Sequence, residues 1–366
     1  MPDVPSTMQA VILTGHGGPD MLEVKYDWPV PSPAADEVLI KVGAAGVNNT
    51  DINTRIGWYS KWVTADTDAA AASAGDADVD TSDSSWAGAT IQFPRIQGAD
   101  VCGTVVAVGE DVASDRVGER ALCVAMQPHE TSDEGLNCLT LGSEMDGGFA
   151  EYVCVNSQMA LAINGDALTD AELASFPCAA STAENMLDRI GLRAGESVLI
   201  NGASGGVGSA AVQLAKLRGA TVTAIASAQK HGFVRGLGAE QLLGRGERPD
   251  PLSVDVVVDL VVGPHWSDLI HALKRGGRYI TAGAIAGPIV DMDMRTVYLR
   301  DLTIAGSTFQ PPHVFENLVV AIEGGTLNPV VSKIYPLSQI GEAQADFVSK
   351  KYPGKLVLVP DRLLAQ

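Results

Sequence analysis

The sequence predicts an α/β chain in two parts, one mostly β and one a doubly wound parallel sheet. Three observations predict it. The first part reads as short apolar runs punctuated by turn residues. From about Ala171 onward, strand-length and helix-length segments alternate. The strands there are unbroken Val/Ile/Leu runs, the pattern of a sheet buried on both faces. At 366 residues the chain has the length for two domains, each with its own core.

Taken in order, "MQAVILTG" and "DEVLIKVGAAGV" are strands bounded by "GHGGPD" and the proline-rich "PVPSPAADE", and "GADVCGTVVAVGEDV" continues the pattern. The segment "TADTDAAAASAGDADVDTSDSSW" carries Asp66, Asp68, Asp76, Asp78, Asp80 and Asp83 and no basic residue. Its composition predicts a solvated, mobile surface loop. A lid or cation-binding loop is the alternative, although the Gly and terminal Glu of an EF-hand loop are missing. In the second part, "ELASFPCAASTAENMLDRIGL" reads as helix, "ESVLINGA" as strand, Gly206 to Leu217 as helix and "ATVTAIAS" as strand. A helical stretch at Gly232–Leu237, the strand "VDVVVDLVV", a helix from Trp266 to Leu273 and the strand "GRYITAGA" follow. The tail has one helical run, "HVFENLVVAIEGG", and a last strand, "GKLVLVP".

A formal charge of −19 and a pI near 4.6 argue against nucleic acid or an anionic membrane as partner. The acidity is read as solubility or adaptation to salt. No apolar run approaches the roughly 20 residues of a membrane helix. "MPDVPSTMQAVILTGHGG" has no basic leader before an apolar block, so no export signal is expected. Five widely spaced cysteines without a CxxC pair suit reduced thiols in a cytoplasm.

The strongest motif is "ESVLINGASGGVGSAAVQLAKLRGA". A strand runs into Gly202, Gly205, Gly206 and Gly208, with Ser204 and Val207 in the same turn, and an apolar helix begins at once. Ala203-x-Gly205-x-x-Gly208 is a variant of the dinucleotide fingerprint in its strand–turn–helix setting, which marks a Rossmann domain. The glycines let backbone approach a pyrophosphate seated on the helix N-terminus. The next strand ends in Ala226 and Ser227, where an NAD-binding chain carries an acid for the ribose 2′-hydroxyl. Lys230, with His231 and Arg235 nearby, adds positive charge that suits a 2′-phosphate, so the expected cofactor is NADP(H).

With these motifs in place, "GHGGPDMLEVKYDWPVPSPAADEVLIKVGAAGVNNTD", "GESVLINGASGGVGSAAVQLAK", "LKRGGRYITAGA" and "PGKLVLVP" carry a family likeness. Over nearly its whole length the chain resembles the medium-chain dehydrogenase/reductase superfamily, in its zinc-independent quinone oxidoreductase branch, related to zeta-crystallin. The resemblance implies a GroES-like catalytic domain at 1–165, completed by 311–366, around a Rossmann domain at 166–310. It further implies an active site in the cleft between them, and homodimers. The acidic insert departs from the family pattern.

Catalytic zinc needs three protein ligands and an open position. Against the zinc members' motifs, the Cys and His positions become Asn48 and Asn49, and the His-Glu pair becomes Ala99-Asp100. Only Cys178 falls at a ligand position, and it reads better as a small buried hydrophobe. Cys123, His129 and Cys138 stand where a structural zinc lobe would lie, without CxxC spacing. The expectation is therefore no metal, and hydride transfer from NADPH to an acceptor that needs no Lewis acid: a quinone, enone or enoyl thioester. By resemblance Asn48 contacts nicotinamide or substrate through its amide, and Tyr59 is a proton donor or oxyanion partner, or else a wall residue. Trp58 and Trp62 read as pocket wall or interface. Thr182 lies near the nicotinamide or caps its helix. Gly283 and Ala284 end a strand at the ligand-binding edge, and Lys355 reaches the cofactor or is a surface charge. The alternatives are an alcohol dehydrogenase with an atypical zinc site and a non-catalytic NADPH-binding protein.

Overall fold

The computed structural model describes residues 4–72, 80–128 and 138–364. The chain divides into two compact units: Met1–Val63, Ala69–Cys178 and Val331–Gln366 form one, and Thr64–Asp68 with Ala179–Val330 the other.

The first unit opens with β1 (Thr7–Leu13), β2 (Leu22–Pro29), β3 (Glu37–Val47) and α1 (Asn49–Ile56). After α2 (Thr67–Ala72) come β4 (Arg95–Ile96), β5 (Val101–Val108), β6 (Arg120–Cys123), β7 (Met126–Pro128) and β8 (Cys138–Thr140). Then follow β9 (Tyr152–Asn156) and β10 (Ala160–Ala162). One sheet runs β2-β1-β4, and a second is built on β3, with β5 and β9 antiparallel to it. Val11, Ile12, Ile40, Val42 and Phe149 are among the core residues these sheets share.

At its two described ends the acidic insert departs from the solvated loop its composition predicts. Thr67–Ala72 is helical, Thr67 is buried, and its N–H donates to the Ile285 carbonyl at 3.1 Å. At the other end Ser84 and Ser85 are buried. Their hydroxyls, with Asp80 and Asp83 carboxylates, find backbone and side-chain partners, so polar residues fold down without an apolar face. Asp76 and Asp78 lie outside the described residues.

The stretch read as one helix is two, α3 (Asp170–Leu173) and α4 (Pro177–Arg189). Thr169 and Glu172 cap α3 reciprocally. Pro177 cannot donate to a continuing helix and biases Phe176 away from helical geometry, so the chain breaks there and restarts. Thr182 therefore sits inside α4 and is not its cap.

The second unit alternates as expected: β11 (Ser197–Asn201), α5 (Gly206–Leu217), β12 (Thr221–Ile225), α6 (His231–Gly236), β13 (Gln241–Leu243) and β14 (Val254–Asp259). Next come α7 (Trp266–Ala272), β15 (Leu273–Thr281), α8 (Met294–Leu299), β16 (Thr303–Gly306) and α9 (Pro312–Glu323). The sheet is wholly parallel, ordered β13-β12-β11-β14-β15-β16. The order reverses between β11 and β14, the switch point at which open α/β sheets bind ligands.

The chain then returns to the first unit with β17 (Val331–Pro336), α10 (Ile340–Val348), β18 (Lys355–Val359) and α11 (Asp361–Leu364). β18 runs antiparallel to β3, and β17 parallel to β18. The return comes at Val331, because α9 belongs to the second unit.

Candidate active site

Where β3 ends, Asn48 takes an extended conformation (φ −129°, ψ 165°) and starts α1, its own N–H donating to the Asp51 carboxylate at 2.7 Å. Gly57, left-handed at φ 70°, closes the helix. The Asn48 amide is held from both ends. Its Nδ2 donates to Asp100 Oδ2 at 2.6 Å and to the Gly46 carbonyl at 3.3 Å, and its Oδ1 accepts from Lys355 Nζ at 2.6 Å. Lys355 also donates to Asp100 Oδ2 at 2.6 Å and the Val47 carbonyl at 2.9 Å. The remaining Asp100 oxygen accepts the Cys178 N–H. Lys355 and Asp100 are 3% and 0% exposed, so Lys355 is no surface charge, and its three hydrogens are spent inside the first unit. Gly46 makes room for this: a Cβ there would lie 2.6 Å from Asp100 Oδ2 and from the Ala174 carbonyl.

Behind α1 a polar chain runs through the core. Arg55 donates to Gln344 Oε1 at 2.9 Å and to the Gly17 carbonyl at 2.7 Å, and Gln97 donates to the Asp51 carbonyl at 2.7 Å. These bonds, one from α10, fix the helix that carries the site. Burial pushes the Asp51 carboxyl up to about 7, against the Asn48 N–H and the Lys355 ammonium, which favour its charged form; Asp100 adds to the rise.

Tyr59 follows Gly57, and its ring turns back along α1. Thr50 and Asn53 of the helix and Trp86 of the insert stand near its hydroxyl and favour its ionised form. Burial outweighs them and raises this phenol to about 12, with Cys178 close enough to oppose ionisation as well. Cys178 donates its N–H to Asp100, and its thiol is near enough to Tyr59 to act on that phenol's ionisation. Thr50 and Trp86 were not anticipated; Thr50 stood in the quoted motif, whereas nothing local marked Trp86. Trp58 packs edge-on against Tyr59 at 5.8 Å, and Trp62 is exposed.

The donors at this place do not fit zinc. Asn48 and Asp100 are saturated by N–H donors and the Lys355 ammonium. Asn49 Nδ2 bonds Asn53 at 3.1 Å, while its buried Oδ1 has no hydrogen-bond partner. Ala99, Ala125 and Cys178 form a small apolar cluster, and burial pushes the Cys178 thiol well above its ordinary value. Among the described residues no three His, Cys, Asp or Glu side chains are grouped to hold a metal ion. In the lobe read as a second zinc position, Cys123 is fully buried and raised to about 12 by desolvation. His129 and the Cys138 side chain lie outside the described residues.

The second unit supplies a dinucleotide cradle. β11 passes into Gly202 at φ 81°, and extended Gly205 caps α5. A Cβ on Gly208 would sit 2.2 Å from the Gly202 carbonyl oxygen, so helix and turn meet only because that position is bare. The first N–H groups of α5, at Gly206, Val207 and Gly208, have no partners of their own within the helix and suit a pyrophosphate. Ser204 is buried in the turn. After β12, Ser227 begins the 3-10 turn Ala228–Lys230, and His231 Nε2 lies 3.1 Å from the Ala226 carbonyl. Ser227 and Lys230 are half-buried, with no carboxylate on the segment from Ala226 to Arg235. Gly283 and Ala284 follow β15, where Thr281 Oγ1 donates to the Gly283 carbonyl at 2.9 Å. Thr182 is half-buried on α4. These residues fit a nicotinamide dinucleotide.

Sequence reading overlooked Asp259, at the end of β14. It accepts from Asn201 Nδ2 (2.9 Å), the Val261 and Val262 N–H groups (2.9 and 3.0 Å) and the Tyr279 hydroxyl (2.8 Å). It thus joins the strands on either side of the switch point and holds β-branched Val262 at φ 58°. The signal in the sequence was an acid, the second after Asp255, closing a valine-rich strand.

Residues 34–165 match the alcohol dehydrogenase GroES-like domain and residues 206–323 the zinc-binding dehydrogenase domain. A solved structure from Sinorhizobium meliloti 1021, provisionally called an alcohol dehydrogenase, is 44% identical over 98% of both chains, with a TM-score of 0.87. Quinone oxidoreductase from Lama guanicoe is 28% identical over 96% of this chain and 97% of its own. The chloroplastic NADPH-dependent alkenal/one oxidoreductase of Arabidopsis thaliana is 29% identical over 98% of this chain and 81% of its own. With a GroES-like unit, a Rossmann sheet and these relatives, the chain belongs to the medium-chain dehydrogenase/reductase superfamily, in its quinone oxidoreductase-like branch of nicotinamide-dinucleotide oxidoreductases.

Proposed function

We propose that the protein is a zinc-independent, NADPH-dependent reductase of activated acceptors, a quinone, enone or enoyl thioester, working as a cytoplasmic homodimer. The observation that carries this reading is the buried Lys355–Asp100–Asn48 set: the place where a zinc enzyme gathers ligands is filled by an internal ion pair and an amide. Bound NADPH supplies the hydride. The turn from Gly202 to Gly208 holds its pyrophosphate, Ser227 and Lys230 meet the 2′-phosphate, and Thr182, Gly283 and Ala284 line the nicotinamide end. Charge arriving on a conjugated acceptor moves to the acceptor's own oxygen, so no Lewis acid is needed, and the Tyr59 hydroxyl donates to it. Asn48 shapes the site from its fixed amide, and Lys355 acts through Asn48 and not on a phosphate. The name of the Arabidopsis relative supports NADPH and a conjugated carbonyl acceptor. Oxidation of NADPH and NADH should be followed with a quinone, an enone and an enoyl-CoA, before and after chelation. NADPH is expected to be preferred at least ~10-fold in kcat/KM, unchanged by chelation. Stoichiometric zinc whose removal abolishes turnover would sink the reading.

A further inference from the structure

We infer that Asn185 of α4 is a positioning residue for the nicotinamide, resting this on the reading of Thr182, Gly283 and Ala284 as the nicotinamide end of the cradle. The residues involved all belong to the second unit. Asn185 is 2% exposed, and its neighbours Ala183, Met186 and Leu187 are buried apolar residues. Asparagine is a poor helix former, and a buried amide costs stability unless it is hydrogen-bonded. Leucine would fill the same volume, so what the amide adds is its bonds. Both lead to one short segment: Nδ2 donates to Ser307 Oγ at 2.9 Å and to the Phe309 carbonyl at 2.9 Å. A carbonyl can only accept, which fixes the way the amide faces. α4 thus grips the chain where it leaves β16.

It leaves at the carboxyl edge of the sheet, where open α/β sheets bind ligands. β15 and β16 run parallel with Thr281 opposite Gly306, so Ser307 is the first residue past the strand. Its N–H donates to the Thr281 carbonyl at 2.9 Å, and Thr281 Oγ1 donates to the Gly283 carbonyl at 2.9 Å. One run of hydrogen bonds therefore links α4 to Gly283 through Ser307 and Thr281. Thr182 stands three residues before Asn185, on the same side of the helix. Asp188, three residues after it, holds the far end of the segment: His313 Nε2 of α9 lies 3.0 Å from Asp188 Oδ2. The chain between β16 and α9 is strapped to α4 at both ends, and Thr182 and Gly283 keep a fixed spacing. Hydride moves only between aligned atoms, and a misplacement of about 1 Å can cost ~100-fold. Asn185 serves the reaction by holding that seat still.

Asn185→Leu keeps the volume and removes both bonds. Two ligands separate the seat from the rest of the cradle: NADPH, titrated by its nicotinamide fluorescence, and adenosine 2′,5′-bisphosphate, which has no nicotinamide, titrated by calorimetry. Asn185→Leu is expected to weaken NADPH ~10-fold and to leave the bisphosphate within ~2-fold of wild type. The fluorescence enhancement at saturating NADPH should fall, because the ring is no longer held. Ser307→Ala removes one acceptor and leaves α4 as it is, so it carries the test even where Asn185→Leu does not fold. It should show the same split at ~3-fold, and add less than ~2-fold in the Asn185→Leu background. Equal weakening of the two ligands, NADPH bound as in wild type, or an unchanged fluorescence at saturation overturns the role of Asn185 while the cofactor reading stands. A wild-type protein that binds neither ligand overturns that reading and this inference together.

Discussion

Asp51 couples the site to pH. Its carboxyl, near 7 in the folded chain and ~3.9 when unfolded, is held protonated by burial, with Lys355 and Asp100 as the charged groups facing it. A raised carboxyl means that the folded chain binds the proton more tightly. Its contribution is full below about pH 4 and is lost as pH rises through about 7, a change on the order of a few kcal/mol. Urea unfolding should therefore show stability falling from pH 5 to 8, and Asp51→Asn should flatten the slope while still accepting the Asn48 N–H. An unaltered slope in the variant would place the titration elsewhere. The sequence showed Asn48 and Asn49 as ligand positions without ligands. It could not show what filled the space, because Lys355 arrives from 307 residues along the chain, on a strand paired with β3. Contacts set by tertiary pairing leave no local trace, and Trp86 escaped notice for the same reason.

The strand–turn–helix from β11 to α5 was the most legible element, since its glycines, periodicity and cap all sit within one short run. α5 spans the predicted Gly206–Leu217. Its glycines divide by what a side chain would strike. At Gly205 the nearest atom to an added Cβ is 3.7 Å away, whereas at Gly208 it is backbone at 2.2 Å. Gly205→Ala is expected to leave the unliganded melting temperature unchanged and weaken NADPH binding at least ~10-fold by fluorescence titration, because the methyl stands where phosphate approaches. Gly208→Ala should weaken binding similarly and also cost about 1–3 kcal/mol of stability. Equal stability losses in the two variants would contradict this division. Elements lacking such concentrated signals were missed or merged. β17 and α10 had no strong flanking signals, and α3 and α4 were joined across Pro177, whose helix-breaking effect was outweighed by the apolar run around it.

The whole chain carries −19, and two copies must overcome that repulsion to dimerise. The second unit offers a reason for them to meet. Among the described residues β16 is the last strand of its sheet, with one edge unpaired, and it is largely exposed. Around it Ile289, Met294, Tyr298, Leu299 and Ile304 expose apolar surface along one stretch of chain. A two-fold mate pairing β16 antiparallel with its own copy would extend the sheet and cover that surface in a self-complementary contact. Because the opposing charge is spread over the surface and the attraction is not, salt should favour the pair: the screening length falls from ~30 Å at 0.01 M to ~8 Å at 0.15 M. Sedimentation velocity should thus show dimers that tighten with salt. Ile304→Lys, which sets a charge on the edge, should give monomers that still bind NADPH. Dimers that persist in Ile304→Lys, or that loosen as salt is added, would move the interface away from this strand.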